Sequence, residues 1–383
     1  MEEIHHFFEP YRKGFTLLPN FTKEDTLGGS ASFYNGDEKW FLNIEAGGVV
    51  IIGVPESRNG DGNLLCSESP DETRYWLYSL KNLHGITVYD AGNLRGNKVT
   101  DRYKALEEAV EFFYDKETTI VIIGGTHELT MPLIKALRSQ KDDVHLVVGD
   151  ALLDVGRADD FTSRNWLHSL LNYTNLEKSL KIDFFGLQNY LISESGFEFL
   201  ENTKSEVLWL GNILAQEISK IEVVMRQADM VSIDFRVMEN QPQWDDKILS
   251  PHGLTPNAAC AISRYAGLSD KLKLFGLFET VSTSGYFNQD PVIAGQMIWH
   301  FIEGVAKRYH DYPVASPESY KVYYVHVESL EESLKFYQNP INNRWWMSVM
   351  MDQSEILVAC SFEDYKQSLQ NEIPNIWMRY NSA

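Results

Sequence analysis

Four side chains stand where short apolar runs end, and their types suit metal chemistry. His127 follows Thr119–Ile123, Asp150 and Asp154 follow Val144–Val148, and Asp234 closes Met230–Ile233. One imidazole and three carboxylates form a hard, mixed nitrogen and oxygen donor set. Such a set suits Mn²⁺, and less well Zn²⁺ or Mg²⁺. Singly, an aspartate just past a strand reads as a helix cap. Four such groups at strand ends that converge in space read as a metal cluster, because ligands of a doubly wound sheet gather at the carboxyl ends of its strands.

The elements that must position them are legible as runs rich in Val, Ile, Leu and Phe. Strands are expected near Val49–Val54, Ile86–Tyr89, Thr119–Ile123, Val144–Val148, Lys181–Phe185, Val207–Leu210, Met230–Ile233 and Leu272–Phe278. Several are apolar at consecutive positions, as strands covered on both faces are. Amphipathic helices are expected over Tyr103–Tyr114, Leu129–Leu137 and Asn257–Tyr265. This alternation predicts an α/β fold of three layers, αβα, with a mostly parallel eight-stranded sheet.

From about Lys307 the texture changes. Tyr320–Val327, Leu334–Gln338, Arg344–Val349 and Glu355–Cys360 are short, aromatic and closely spaced, and Phe362–Glu372 reads as a final helix stopped by Pro374. The chain thus divides into an α/β domain over 1–306, with an irregular lead-in over 1–45, and a small C-terminal α+β appendage over 307–383. Trp345, Trp346 and Trp377 either pack the appendage on the main domain or form a subunit contact.

Charge and cysteine usage narrow the partners. There are 34 Lys+Arg against 54 Asp+Glu among 383 residues, a formal charge of −20. So acidic a chain repels phosphate backbones and anionic lipid surfaces, which argues against nucleic acid and membrane partners. It favours cationic ligands. Three scattered cysteines, Cys66, Cys260 and Cys360, form no CxxC pair or disulfide framework, as in a reducing compartment. With early acids at the N-terminus and no long apolar run, the expected location is cytoplasmic. No Gly-x-Ser-x-Gly elbow, P-loop or dinucleotide fingerprint appears.

The three segments Gly124-Gly-Thr-His-Glu128, Asp150-Ala-Leu-Leu-Asp154 and Val231-Ser-Ile-Asp-Phe-Arg236 resemble, in order, the metal-binding signatures of the arginase, agmatinase and formimidoylglutamase family (ureohydrolases). In that family they read roughly Gly-Gly-Asp-His-Ser, Asp-Ala-His-x-Asp and Ser-x-Asp-x-Asp. Ile51-Ile-Gly-Val-Pro55, Pro70–Leu77, Tyr89-Asp-Ala-Gly92 and Gly276-Leu-Phe-Glu279 resemble further family segments, so the likeness spans about Gly48 to Gly304. The tail, with Arg344-Trp-Trp-Met347 and Cys360–Tyr365, is similar to a divergent, formimidoylglutamase-like bacterial branch.

The resemblance implies an arginase-like sheet, two manganese ions sharing a hydroxide, and a homo-oligomer. Carried across residue by residue, one ion's ligands are His127, Asp150, Asp154 and Asp234, all present. The second ion's additional ligands fall on Leu152 and Arg236. Leucine donates nothing to a metal and a guanidinium repels one. One Mn²⁺, or none, is therefore expected, with Arg236 bonded to the carboxylates in place of the second ion. Glu279 matches the family acid that faces a cationic substrate group, and His168 corresponds to its loop histidine, one residue out of step. His252 falls near the mouth of the family's site.

Three functions follow from that pattern. The first is a ureohydrolase-like protein with a degraded two-ion site that binds a small guanidino or formimino ligand with weak or no hydrolysis. The second is an active mononuclear C–N hydrolase, and the third a non-catalytic assembly protein.

Overall fold

A computed structural model describes residues 4–60, 62–156, 160–173, 180–239, 251–281, 289–311, 317–351 and 354–381. Ten strands form the main sheet: β1 (Phe8–Glu9), β2 (Ser32–Phe33), β3 (Val49–Gly53), β4 (Val88–Leu94), β5 (Thr119–Ile123), β6 (Val144–Gly149), β7 (Leu180–Phe185), β8 (Val207–Leu208), β9 (Met230–Asp234) and β10 (Leu274–Phe278). Their order is β1-β4-β3-β5-β10-β9-β6-β7-β8, with β2 on β4; only β1 runs antiparallel to its neighbour.

Continuous apolar strands supply both faces, because successive side chains point to opposite sides. Val50, Ile52, Ile120, Ile122, Leu146 and Val148 join one core with the helices Val99–Asp115 and Thr130–Gln140. The alternate residues Val49, Ile51, Val121, Ile123 and Val147 join a second core with the helices Pro256–Gly267 and Asp290–Val305. The three layers follow from that alternation. All eight expected strands are present.

Three details depart from the sequence reading. The lead-in is not wholly irregular: β1 and β2 extend one edge of the sheet, and Phe8 is buried against Phe41 and Phe113. The strand expected at Ile86–Tyr89 begins at Val88 and continues to Leu94, because Asp90 is not a loop acid. It is buried and accepts from Arg74 Nε (2.8 Å) and Nη2 (3.1 Å). The helix expected over Phe362–Glu372 ends at Leu369, and Pro374 precedes a further helix, Asn375–Asn381.

The appendage is an antiparallel sheet of β11 (Lys321–Val325), β12 (Leu334–Gln338), β13 (Trp345–Met351) and β14 (Ser354–Cys360), in that order. Trp345 belongs to its own core, while Trp346 packs with Val223 of the helix Ile218–Gln227. Arg226 stacks over Trp346 and donates to the carbonyls of Trp345 (3.0 Å) and Cys360 (2.9 Å). No helix among the described residues is long and apolar enough to cross a membrane.

The strand order brings the site together. β9 and β10, late in the chain, insert between β5 and β6, so the carboxyl ends of β5, β10, β9 and β6 lie side by side. Ile123 is in register with Leu277, Phe278 with Asp234, and Ile233 with Gly149.

Candidate metal centre

Two glycines turn the chain out of β5. Gly124 (φ +88°) and Gly125 (φ +78°) both adopt the left-handed region, where a side chain is strained. A Cβ on Gly124 would also lie 2.4 Å from Pro70 Cγ, and one on Gly125 2.3 Å from Leu129 Cδ1. The turn delivers His127 to the start of a single 3₁₀ turn, His127–Leu129, that leads into the helix Thr130–Gln140.

His127 is fully buried, and its Nδ1 faces one oxygen of each aspartate. The distances are 3.4 Å to Asp150 Oδ2, 3.3 Å to Asp154 Oδ2 and 3.3 Å to Asp234 Oδ2. With Nδ1 on the acids, Nε2 carries a proton toward Ser232 Oγ at 3.0 Å, and Ser232 in turn lies 2.6 Å from Thr130 Oγ1. The carboxylates have supports of their own. Asp150 Oδ1 accepts from the Leu152 amide (3.1 Å), Asp154 Oδ2 from Trp166 Nε1 (3.1 Å) and Asp234 Oδ1 from the Arg236 amide (2.7 Å).

This set fits one ion. The four donor atoms lie within 4.8 Å of one another and every member is buried. Nitrogen and oxygen ligands bound at about 2.1 Å stand roughly 3.0 Å apart around an octahedral ion and 3.4 Å apart around a tetrahedral one. The separations from Nδ1 fall in that range.

Arg236 completes the cluster. The residue is 8% exposed, and its Nη2 lies 2.5 Å from Asp234 Oδ2, 2.9 Å from Asp154 Oδ2 and 3.2 Å from Asp150 Oδ2. Its Nε adds a 2.7 Å bond to Asp234 Oδ2. Burial works against the guanidinium's charge, but Asp150 and Asp154 outweigh it and hold its pKa above the ordinary value. Burial likewise opposes charge on His127, and its bonds to the three aspartates carry its pKa well above the usual imidazole range. Among the acids, burial and the neighbouring Asp150 charge push Asp234 well up. Burial also tends to raise Asp154, yet Arg236 and His127 hold it below the usual range. Burial raises Asp150 as well, against the pull of Arg236. Without an ion, Arg236 and His127 offset the charge of the three carboxylates in part.

Glu279 follows β10 in a left-handed conformation (φ +59°), uncommon for a residue with a side chain. Its Oε1 accepts from the His127 amide (3.1 Å), its Oε2 from Asn63 Nδ2 (2.9 Å), and its own amide donates to the Gly125 carbonyl (2.9 Å). It therefore ties the β10 loop to the glycine turn that carries His127. Leu152 is half-buried beside Asp150. His168 lies apart from the cluster: it is exposed on the helix Trp166–Tyr173, whose buried face carries Trp166, Leu167 and Leu170. His252 is exposed too, and its carbonyl accepts from Gln188.

Sequence reasoning missed Ser232, Thr130, Trp166 and Asn63. Ser232 sits inside the third signature, two residues before Asp234, where strand alternation places it on the same face. Trp166 lies two residues before the histidine that was singled out.

A mostly parallel sheet with a His/Asp cage at the carboxyl ends of its middle strands defines an α/β protein of the arginase fold. The model of the arginase family matches residues 47–243, about half of the chain, and the protein belongs to that family. Solved structures agree on the fold. Formiminoglutamase from Trypanosoma cruzi, in a structure with Mn²⁺, is 19% identical with a TM-score of 0.61, covering 70% of this chain and 98% of its own. Formimidoylglutamase from Bacillus subtilis is 16% identical with a TM-score of 0.64, covering 78% and 96%. Proclavaminate amidino hydrolase from Streptomyces clavuligerus is 17% identical with a TM-score of 0.55, covering 68% and 91%. No curated protein matches in sequence.

Proposed function

We propose that this protein is a one-ion member of the arginase family. In this reading His127, Asp150, Asp154 and Asp234 hold a single Mn²⁺, and the site binds a small guanidino or formimino compound with weak or no hydrolysis of the two-ion kind. One observation carries it: the cage has donors for one ion, while the two positions that the resemblance assigns to a second ion hold Leu152 and the guanidinium of Arg236.

When bound, the ion supplies Lewis acidity toward a water or ligand atom. The chain's own residues do the rest. Ser232 and Thr130 fix the ring of His127 through Nε2, and Trp166 fixes Asp154, as supporting partners of ligands do. Glu279 holds the loop that carries His127, and its carboxylate adds negative charge toward an entering amidinium. The excess of buried carboxylates favours a cationic ligand and disfavours an anionic one. Arg236 stands at the sequence position that the resemblance assigns to a ligand of the second ion, so in this reading one cation alone would activate a water and attack on an amidine carbon would be slowed.

The test is calorimetric titration of Mn²⁺-loaded protein with arginine, agmatine, guanidinobutyrate and formimidoylglutamate, alongside assays for urea, formamide and ammonia. Binding of at least one of them with little or no product is expected. Rapid turnover would replace this reading with that of an active mononuclear hydrolase, and absence of any binding would remove the ligand claim.

A further inference from the structure

The three oxygens that His127 Nδ1 faces are the three that Arg236 Nη2 contacts. Asp150 Oδ2, Asp154 Oδ2 and Asp234 Oδ2 stand 3.3–3.4 Å from the imidazole nitrogen and 2.5–3.2 Å from the guanidinium nitrogen. The guanidinium therefore closes the retained cage rather than merely filling the space of a lost neighbour.

We infer that Arg236 is the resident cation of this cage: it competes with a divalent ion for the same three carboxylate oxygens, keeps the site assembled without metal, and keeps metal affinity low. The inference rests on the one-ion reading for the choice of ligands.

Three features support it. Arg236 is anchored by its own neighbour, since its amide donates to Asp234 Oδ1 (2.7 Å) and its Nε to Asp234 Oδ2 (2.7 Å). The amide bond orients the Asp234 carboxylate, and the Nε bond to that same carboxylate resists displacement of the side chain. A guanidinium does not deprotonate in proteins, so it cannot yield to an incoming dication by losing charge. It must swing away or share the oxygens at close range, and either route opposes the ion. Without Arg236, the three buried carboxylates would keep His127 as their one cationic partner among the described residues, an imbalance of buried charge that folded proteins avoid. Nη1 has no hydrogen-bond partner among the described residues, so the guanidinium is engaged along its Nε–Nη2 edge alone.

The experiment compares wild type, Arg236→Gln and Arg236→Lys, each stripped with chelator. Two quantities are read: melting temperature without metal, and Mn²⁺ and Zn²⁺ affinity by calorimetry. Arg236→Gln is expected to melt lower without metal, to bind Mn²⁺ at least ten-fold more tightly than wild type, and to recover its melting temperature when loaded. Arg236→Lys keeps the charge and the backbone amide bond but loses the Nε bond to Asp234, and is expected to bind Mn²⁺ between the two. If Arg236→Gln does not fold without metal, Arg236→Lys decides: an affinity equal to or below wild type overturns the inference.

The two readings fail differently. Wild type that binds no ion while Arg236→Gln binds one keeps the resident cation and ends the one-ion reading. Wild type that binds one ion no more weakly than Arg236→Gln does the reverse. No ion in any variant ends both.

Discussion

Arg236 Nη2 lies 2.9 Å from Asp154 Oδ2, the oxygen that the His127 ring also approaches, at 3.3 Å. One carboxylate oxygen thus serves both a ligand-type contact and an internal ion pair. Three aspartates buried together would repel one another strongly at low local dielectric. The arginine, together with His127, offsets that repulsion by chain chemistry alone, in keeping with a cage that stays assembled without metal.

The partners of the ligands are expected to matter nearly as much as the ligands. Trp166→Phe removes the only indole donor to Asp154 Oδ2 seen among the described residues, and Ser232→Ala frees His127 Nε2. Each should weaken Mn²⁺ binding by roughly 10–100-fold with little change in circular dichroism. A calorimetric titration checks this; unaltered affinity in both variants would mean that the shell around the ligands is inert.

Restoring ligand types should restore a site. Leu152→His combined with Arg236→Asp supplies the two donors missing from the second and third signatures. Metal uptake on saturation with Mn²⁺ is expected to rise from one ion to two. No rise would show that the surrounding backbone has drifted beyond reuse.

The β4 side of the sheet depends on a buried ion pair. Arg74 is fully buried, grips Asp90 with two nitrogens, and also donates to Asn93 Oδ1 (2.7 Å) and the Gly92 carbonyl (2.9 Å), while Tyr78 Oη–H donates to Asp90 as well. Arg74→Met strands the Asp90 charge and should cost roughly 3–5 kcal/mol. Urea unfolding measures it, and Arg74→Met with Asp90→Asn should recover a substantial part.

Acid should loosen the C-terminal helix first. Asp183 accepts from Arg379 Nη2 (2.6 Å) of the helix Asn375–Asn381 and lies 2.7 Å from His145 Nε2. Burial tends to raise the Asp183 pKa, but His145, Lys181 and Arg379 together hold it well below the usual range. A carboxylate depressed in the folded state contributes stability above its unfolded pKa of about 3.9, and that contribution fades as pH falls below it. His145 is depressed as well, chiefly by burial, so its contribution is lost as pH falls below about 6.5. Both slopes have the same sign. The stability contributed by this pair should therefore decline from about pH 6.5 downward, and Asp183→Asn should flatten the most acidic part of the melting profile relative to wild type. A profile unchanged by that variant would exclude Asp183 as the acid-sensitive clamp.

How much of this was legible in the sequence depends on where each signal lies. β5 and β12 coincide with their expected bounds, since an unbroken run such as Thr119–Ile123 or Leu334–Gln338 needs no distant partner to declare itself. The four cage residues were legible for the same reason, each standing at or just past such a run. β4 was cut short because Asp90, Gly92 and Asn93 look like a loop until Arg74, some twenty residues earlier, is seen to bury them. β1 and β2 are two residues long and exist through pairing with β4, a contact that no local pattern announces. His168 is matched to the family's loop histidine by its place in the sequence, one residue out of step, whereas the phase of its helix turns Trp166 inward and leaves His168 exposed. Ser232 and Thr130 were missed because a hydroxyl that orients a ligand looks in sequence like any other hydroxyl.

The most direct measurement is the metal content per chain. Wild type and His127→Ala are stripped, dialysed to equilibrium against excess Mn²⁺, and assayed by elemental mass spectrometry against the dialysate. About one ion per wild-type chain and none in His127→Ala is the expected result. Two ions per chain, or one that survives the loss of His127, would contradict a single-ion cage built on this histidine and three aspartates.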